Sequence, residues 1–272
     1  MSARLGCRPH ERRLRLRLDQ RPTHRWRRTA TDVDGRRRSS DHGEPQMKVP
    51  IVENVLKIND EMAAMNRRTL QDACVFTIDV IGAPGCGKTA LIEATLAACR
   101  DDPTRFGVIV GDLATDRDAT RLARQCQHVV QINTGKGCHL DANQVRQAVA
   151  QIELDAIDVL FIENVGNLIC PVGFDLGQDV KVGVFCVAEG DDKAAKHPYL
   201  VQEADLLLLN KIDLLPHVPF DLEKLQADVE RLNPGVDLLQ VSVSDSGLEK
   251  WLPWLRDRIA AAISNRASIA QA

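Results

Sequence analysis

Gly82-Ala83-Pro84-Gly85-Cys86-Gly87-Lys88-Thr89 decides the reading of this chain: one glycine, four residues, then Gly-Lys-Thr, the spacing of a phosphate-binding loop. An apolar run from Val75 to Ile81 precedes it, and a helical run from Leu91 to Cys99 follows. A strand that turns sharply into a helix leaves backbone N–H groups without intrahelical partners and aims the positive end of the helix dipole at one point. Phosphate oxygens fill such a nest. Gly82, Gly85 and Gly87 let the main chain wrap closely, and Pro84, Cys86 and Ala90 belong to the same nucleotide-binding stretch. Lys88 offers a point charge to the β- and γ-phosphates, and the Thr89 hydroxyl reaches a magnesium ion.

Outward from the loop, apolar runs alternate with helical ones: Phe106–Val110, then Ala119–Gln125; Val129–Asn133, then Ala142–Ile152; Val159–Ile162; Val182–Val187; Leu206–Leu209, then Leu222–Leu232; Leu238–Val241, then Leu248–Ile263. Continuously apolar strands are those buried on both faces of a parallel sheet, and parallel strands require crossover helices. The expected fold is a doubly wound, mostly parallel α/β domain over 73–265, preceded by a helix over 47–72. Ile51, Val55, Ile58, Met62 and Met65 recur at steps of four and three, one apolar stripe expected to dock on its own domain or on a second subunit.

Ligands of such folds lie beyond the carboxyl ends of the strands. Asp112 ends the second strand and Glu163 the fourth, and an acid there, with Thr89, can hold magnesium. Gly166 can offer its N–H to a γ-phosphate, while Asp112 or Asp116 can orient water beside the catalytic Lys88. Asp116 also reads as an ordinary helix cap. No glutamine is placed to orient water, and no arginine finger is legible. Asn210-Lys211-Ile212-Asp213 closes the sixth strand. A carboxylate at Asp213 accepts both the N1–H and the 2-amino group of guanine, which adenine lacks, so GTP is the expected substrate. Asn210 and Lys211 shape the base pocket, and Ser242 is expected as its second wall.

The ends of the chain carry less information. Residues 1–46 hold 13 arginines against six acids, while the whole chain has a net charge of −3, so the body is acidic and the tail basic. That tail lacks a signal-peptide core and aromatic interleaving. It reads as a disordered appendage, or as a start assigned too early with Met47 the true first residue; 266–272 is expected to be disordered as well. No run approaches the roughly 20 apolar residues of a membrane span. The expectation is a soluble, cytoplasmic protein with neither nucleic-acid nor membrane partners.

Eight cysteines without small-scaffold spacing read as reduced thiols. Cys138-His139 lies in one loop, and Cys170 in a second, four residues past Gly166. Thiolate and imidazole are ligands of zinc, nickel and copper, and three of them leave a tetrahedral site one position short. Cys86 reads as packing.

Together these segments resemble the HypB-type GTPases that assist nickel insertion into [NiFe] hydrogenase. The resemblance runs over nearly all of 51–263. It is carried by Asn59 and Asn66 in the leading helix and by the segments 82–89, 110–119, 131–142, 161–171, 189–193 and 210–216. It implies a slow GTPase that dimerises on binding GTP, holds Ni²⁺ or Zn²⁺ on Cys138, His139 and Cys170 near the dimer interface, works with a HypA-type metallochaperone and delivers nickel to the hydrogenase large subunit. Many relatives carry an N-terminal cysteine motif or a histidine-rich stretch; here there are only Cys7 and the scattered His10, His24 and His42. The segment 242–248 is also shorter than their usual base-contacting loop. Two other readings stand beside this one: a nucleotide-regulated nickel or zinc buffer with little turnover, and a urease-type accessory GTPase, expected to show Cys-Pro-His where Cys138 and His139 are adjacent.

Overall fold

The computed structural model describes residues 51–113, 116–244 and 247–270. In chain order the elements are α1 (Ile51–Asp72), β1 (Phe76–Gly82), α2 (Lys88–Ala98), β2 (Phe106–Asp112), α3 (Arg117–Leu122), β3 (His128–Asn133), α4 (Ala142–Val149), β4 (Val159–Glu163), β5 (Val180–Cys186), α5 (Lys193–Lys196), α6 (Pro198–Glu203), β6 (Leu206–Asn210), α7 (Leu222–Leu232), β7 (Leu238–Gln240) and α8 (Trp251–Ala270). Every strand pair is parallel, in the order β3-β2-β4-β1-β5-β6-β7.

Successive side chains of a strand point to opposite faces, and here both faces are covered. Val182, Val184, Leu206 and Leu208 join Ile78 and Val80 in a core with Leu91 and Ile92 of α2 and Trp251 and Leu255 of α8. Their neighbours Phe185, Leu207 and Leu209 pack on the other side with Leu200 of α6 and Leu225 of α7, and Ile109, Leu160 and Ile162 pack with Leu70 of α1 and Val145 of α4. The long helix α8 is tied to α2 by Trp251, whose Nε1–H donates to Thr95 Oγ1 at 2.8 Å. Among the described residues no helix is long and apolar enough to cross a membrane.

The seven expected strands form. Helices α5 and α6, of four and six residues, escape the sequence reading. At the C-terminal end α8 continues to Ala270, so the helix enters the stretch expected to be disordered; extending an existing helix through alanine-rich sequence needs no new nucleus. The readings of 1–46 lie outside the described residues. Cys86, Cys99, Cys126, Cys138, Cys170 and Cys186 are free thiols; Cys74, at a left-handed φ of 60°, is not among them.

The domain covers the described part of the α1 apolar stripe only in part: the Met62 and Met65 sulfurs lie 3.5 Å and 3.3 Å from Nη1 of Arg146 on α4. Ile58 is 57% exposed and Met65 41%, whereas Asn59, Ala63, Asn66 and Leu70 are buried. The helix turns its amides inward because the surface beneath presents backbone groups that need partners. Asn59 Oδ1 accepts from Ala142 N–H at 2.9 Å while its amide donates to Asp175 O, also at 2.9 Å. The Asn66 amide donates to Ala142 O at 2.8 Å and Leu176 O at 3.0 Å. Asn66→Ala would strand two carbonyls and is expected to lower unfolding free energy by about 1–3 kcal/mol, read by denaturant unfolding; an unchanged midpoint would mean that water replaces the amide without loss.

Candidate nucleotide and metal site

The main chain between β1 and α2 takes the curled form expected. Gly87 has a φ of 101°, and a Cβ there would lie 2.4 Å from Asn210 Nδ2, so this position tolerates only glycine. Cys86 contributes backbone alone: its side chain is buried in the core, and burial pushes its thiol up to about 11. Lys88, 6% exposed, donates from Nζ to Gly82 O at 3.1 Å and to Ala83 O at 3.3 Å. A cavity of about 360 Å³ opens over the loop, lined by Pro84, Gly85, Gly87, Lys88, Thr89, Ala90, Asp112, Glu163 and Gly166 among others. Gly82 lies beneath it as the last residue of β1.

Two of the three residues expected at magnesium meet. Thr89 Oγ1 donates to Glu163 Oε1 at 2.7 Å, and Glu163 Oε2 is buried with no partner among the described residues. Burial raises the Glu163 pKa to about 7, against the opposing hydrogen bond from Thr89. An orphaned carboxylate oxygen beside a hydroxyl, at the wall of a phosphate-sized cavity, is a donor set that suits a hard divalent cation. Asp112 lies on the same wall, one carboxylate oxygen accepting from Leu113 N–H at 2.6 Å.

Asp116 is a different matter. It caps α3 without a side-chain bond and does not line the cavity; Asp118 and Arg121, farther along the helix, do. The reason is helical spacing: residues three apart share a face, and this face is the one turned to the loop. Arg121 donates from Nε to Glu93 at 2.6 Å. Its only trace in the sequence was that spacing from Asp118.

On the far side of the loop, Asn210 at the end of β6 donates to Cys86 O at 2.8 Å, and Lys211, at a φ of 61°, donates from Nζ to Gly85 O at 2.7 Å. Both side chains therefore bind the phosphate loop to the expected base pocket. Asp213 accepts from Ser242 Oγ at 2.6 Å, and that bond holds its carboxyl below the usual range. It is an anion at neutral pH, suited to two donors on a base edge.

The structure also brings Cys138, His139 and Cys170 together, with one ligand atom of each lying within 4.8 Å of the others. Cys138 Sγ lies 3.5 Å from His139 Nδ1, and the imidazole rests against Phe174 with ring centroids 4.0 Å apart. Partial burial lowers the His139 pKa, which keeps the ring neutral, while a hydrogen bond with Cys170 raises that of Cys138. A metal bound here would displace protons. Two soft sulfurs and one imidazole fit zinc or nickel, with a position left over.

The CobW/HypB/UreG nucleotide-binding domain matches residues 76–240 of this chain. The hydrogenase maturation factor HypB of Azotobacter vinelandii is 45% identical over 207 residues, which cover 75% of this chain and 68% of that protein. Among solved structures, HypB from Archaeoglobus fulgidus superposes with a TM-score of 0.70 at 37% identity, covering 75% of this chain and all of the other. HypB from Helicobacter pylori in complex with nickel superposes at 0.71 with 32% identity, covering 75% and 96%.

Proposed function

The chain belongs to the CobW/HypB/UreG family, among the HypB hydrogenase maturation factors, and from that membership we propose that it is a slow regulatory GTPase whose nucleotide state governs delivery of nickel to a [NiFe] hydrogenase. One observation carries the reading: the segment from Glu163 to Cys170 has a magnesium-type carboxylate at one end and a soft-metal thiol at the other.

GTP enters with its phosphates over the loop, where Lys88 exchanges the carbonyls of Gly82 and Ala83 for the β- and γ-phosphates. Thr89 and Glu163 would hold magnesium, which would supply positive charge to offset that of the phosphates. Gly166 N–H meets the γ-phosphate, Asp112 orients the attacking water, and Asp213 reads the guanine edge. Loss of the γ-phosphate releases Gly166 and with it the segment that ends at Cys170. Nickel or zinc, as cargo, sits on Cys138, His139 and Cys170, and a second copy of the chain or the acceptor completes its coordination.

A GTP-dependent homodimer, a HypA-type metallochaperone as donor, the hydrogenase large subunit as acceptor and a cytoplasmic setting complete the proposal. The exposed Ile169, beside Cys170, and Ile58 and Met65 on α1 support a surface that meets partners. The test is nickel affinity, measured with GDP and with a non-hydrolysable GTP analogue alongside sizing of each complex. A ratio between the two of about 5-fold to 150-fold is expected. Equal affinities would overturn the reading, since a ligand that binds two states equally shifts nothing.

A further inference from the structure

We propose that Asn167 is the positioning residue that transmits the nucleotide state to the metal loop, through one carbonyl it shares with Lys88. The inference rests on the reading just given and names the part that would carry it.

Gly82 O accepts two donors: Lys88 Nζ at 3.1 Å and Asn167 N–H at 3.0 Å. From the same residue, the Asn167 amide donates to Cys138 O at 3.3 Å, on the loop that bears two of the three metal ligands. The route from the phosphate lysine to the metal loop therefore passes through one backbone carbonyl and one side chain. There is no slack beside it, because a Cβ on Gly166 would lie 2.9 Å from Pro84. A carbonyl divided between an ammonium and an N–H holds each less tightly than it holds either alone. When Lys88 turns to phosphate, Asn167 N–H keeps Gly82 O to itself, and the amide that reaches Cys138 is drawn toward the phosphate loop.

Asn164 differs from Asn167 in kind. It is 1% exposed, its Oδ1 accepts from Leu140 N–H at 3.1 Å, and its amide donates to Asp79 at 3.0 Å, so it anchors the far end of the metal loop in the core. Asn167 is the half-buried bond that can change length. Its Oδ1 also accepts from Ile169 N–H at 2.9 Å and shapes the turn into Cys170; that role can be separated from the bridge.

Asn167→Asp keeps an acceptor for Ile169 N–H and the main-chain bond to Gly82 O, but has no donor for Cys138 O. Asn167→Ala loses both side-chain bonds. Nickel affinity is measured for the wild type and both variants in three states: without nucleotide, with GDP and with a non-hydrolysable GTP analogue. In both variants the GDP-to-analogue ratio is expected to collapse to within about twofold, against at least about fivefold for the wild type, while nickel still binds the nucleotide-free proteins. A wild-type ratio in Asn167→Asp overturns the inference and leaves the turn at Ile169 as the residue's role. A wild type with no ratio overturns the functional reading itself, and this inference with it. Should Asn167→Ala fail to fold, Asn167→Asp alone decides.

Discussion

Asp213→Asn is expected to weaken GTP binding by about 100-fold to 1,000-fold and to move the preference to xanthosine triphosphate. The carboxylate of Asp213 is oriented by Ser242 Oγ at 2.6 Å and kept ionised by that bond. Against guanine it accepts two hydrogen bonds, each worth about 1.5–3 kcal/mol because the acceptor is charged. An amide at this position turns an NH₂ toward the guanine 2-amino group, donor against donor. Xanthine carries a carbonyl there, which accepts from the same NH₂. Competition binding with GTP, ATP and xanthosine triphosphate reads the change, and an unaltered GTP affinity would show that Asp213 does not face the base.

The second large effect separates function from stability at one residue. Glu163→Gln is expected to cut magnesium-dependent GTP hydrolysis by about 100-fold or more, since it replaces a charged ligand by a neutral one at the site of developing charge. The same change is expected to stabilise the metal-free protein. In the folded state burial holds the Glu163 pKa at about 7, against 4.5 for an ordinary glutamate. Below pH 4.5 both states keep the proton and Glu163 costs nothing. Between 4.5 and 7 the unfolded chain releases its proton while the folded one retains it, so stability falls as pH rises. Above pH 7 the loss is complete, up to about 3 kcal/mol. Glutamine has no such dependence. Denaturant unfolding in chelator at pH 4.5, 6 and 8 should show the variant and wild type converging at the acid end and separating at the alkaline end. A constant difference would show that ionisation of this carboxyl is not its source.

Much of the site was legible because its chemistry is written in short segments. A phosphate loop needs its glycines, lysine and threonine in fixed order, and a guanine pocket needs its asparagine, lysine and aspartate within four positions. Asp118 and Arg121 escape the sequence reading because a cavity wall is built by whichever helix face the packing turns inward, and their three-residue spacing does not say which way that face turns. Asp116, only two residues before Asp118, is not among the residues that line the cavity. The asparagines differ again: Asn164 and Asn167 lie inside a recognised segment, yet their work is to hold the loop of Cys138 and His139. Such pairs, distant along the chain, have no signature in it.

The leading helix draws the boundary most sharply. Its period was readable, and its apolar stripe pointed to burial; in the fold Ile58 and Met65 of that stripe are exposed, and two asparagines face in. Sequence alone determined the alternation of buried strands with crossover helices and the phosphate loop, because each follows from residue type and spacing within one stretch of backbone. The tertiary structure decided which face of α1 is covered, which acids line the cavity over the phosphate loop, and that two loops over 30 residues apart in the chain bring two thiols and an imidazole to one point. Those outcomes depend on which backbone groups lie beneath a helix or beside a loop after folding, and no residue's identity specifies its neighbours across a sheet.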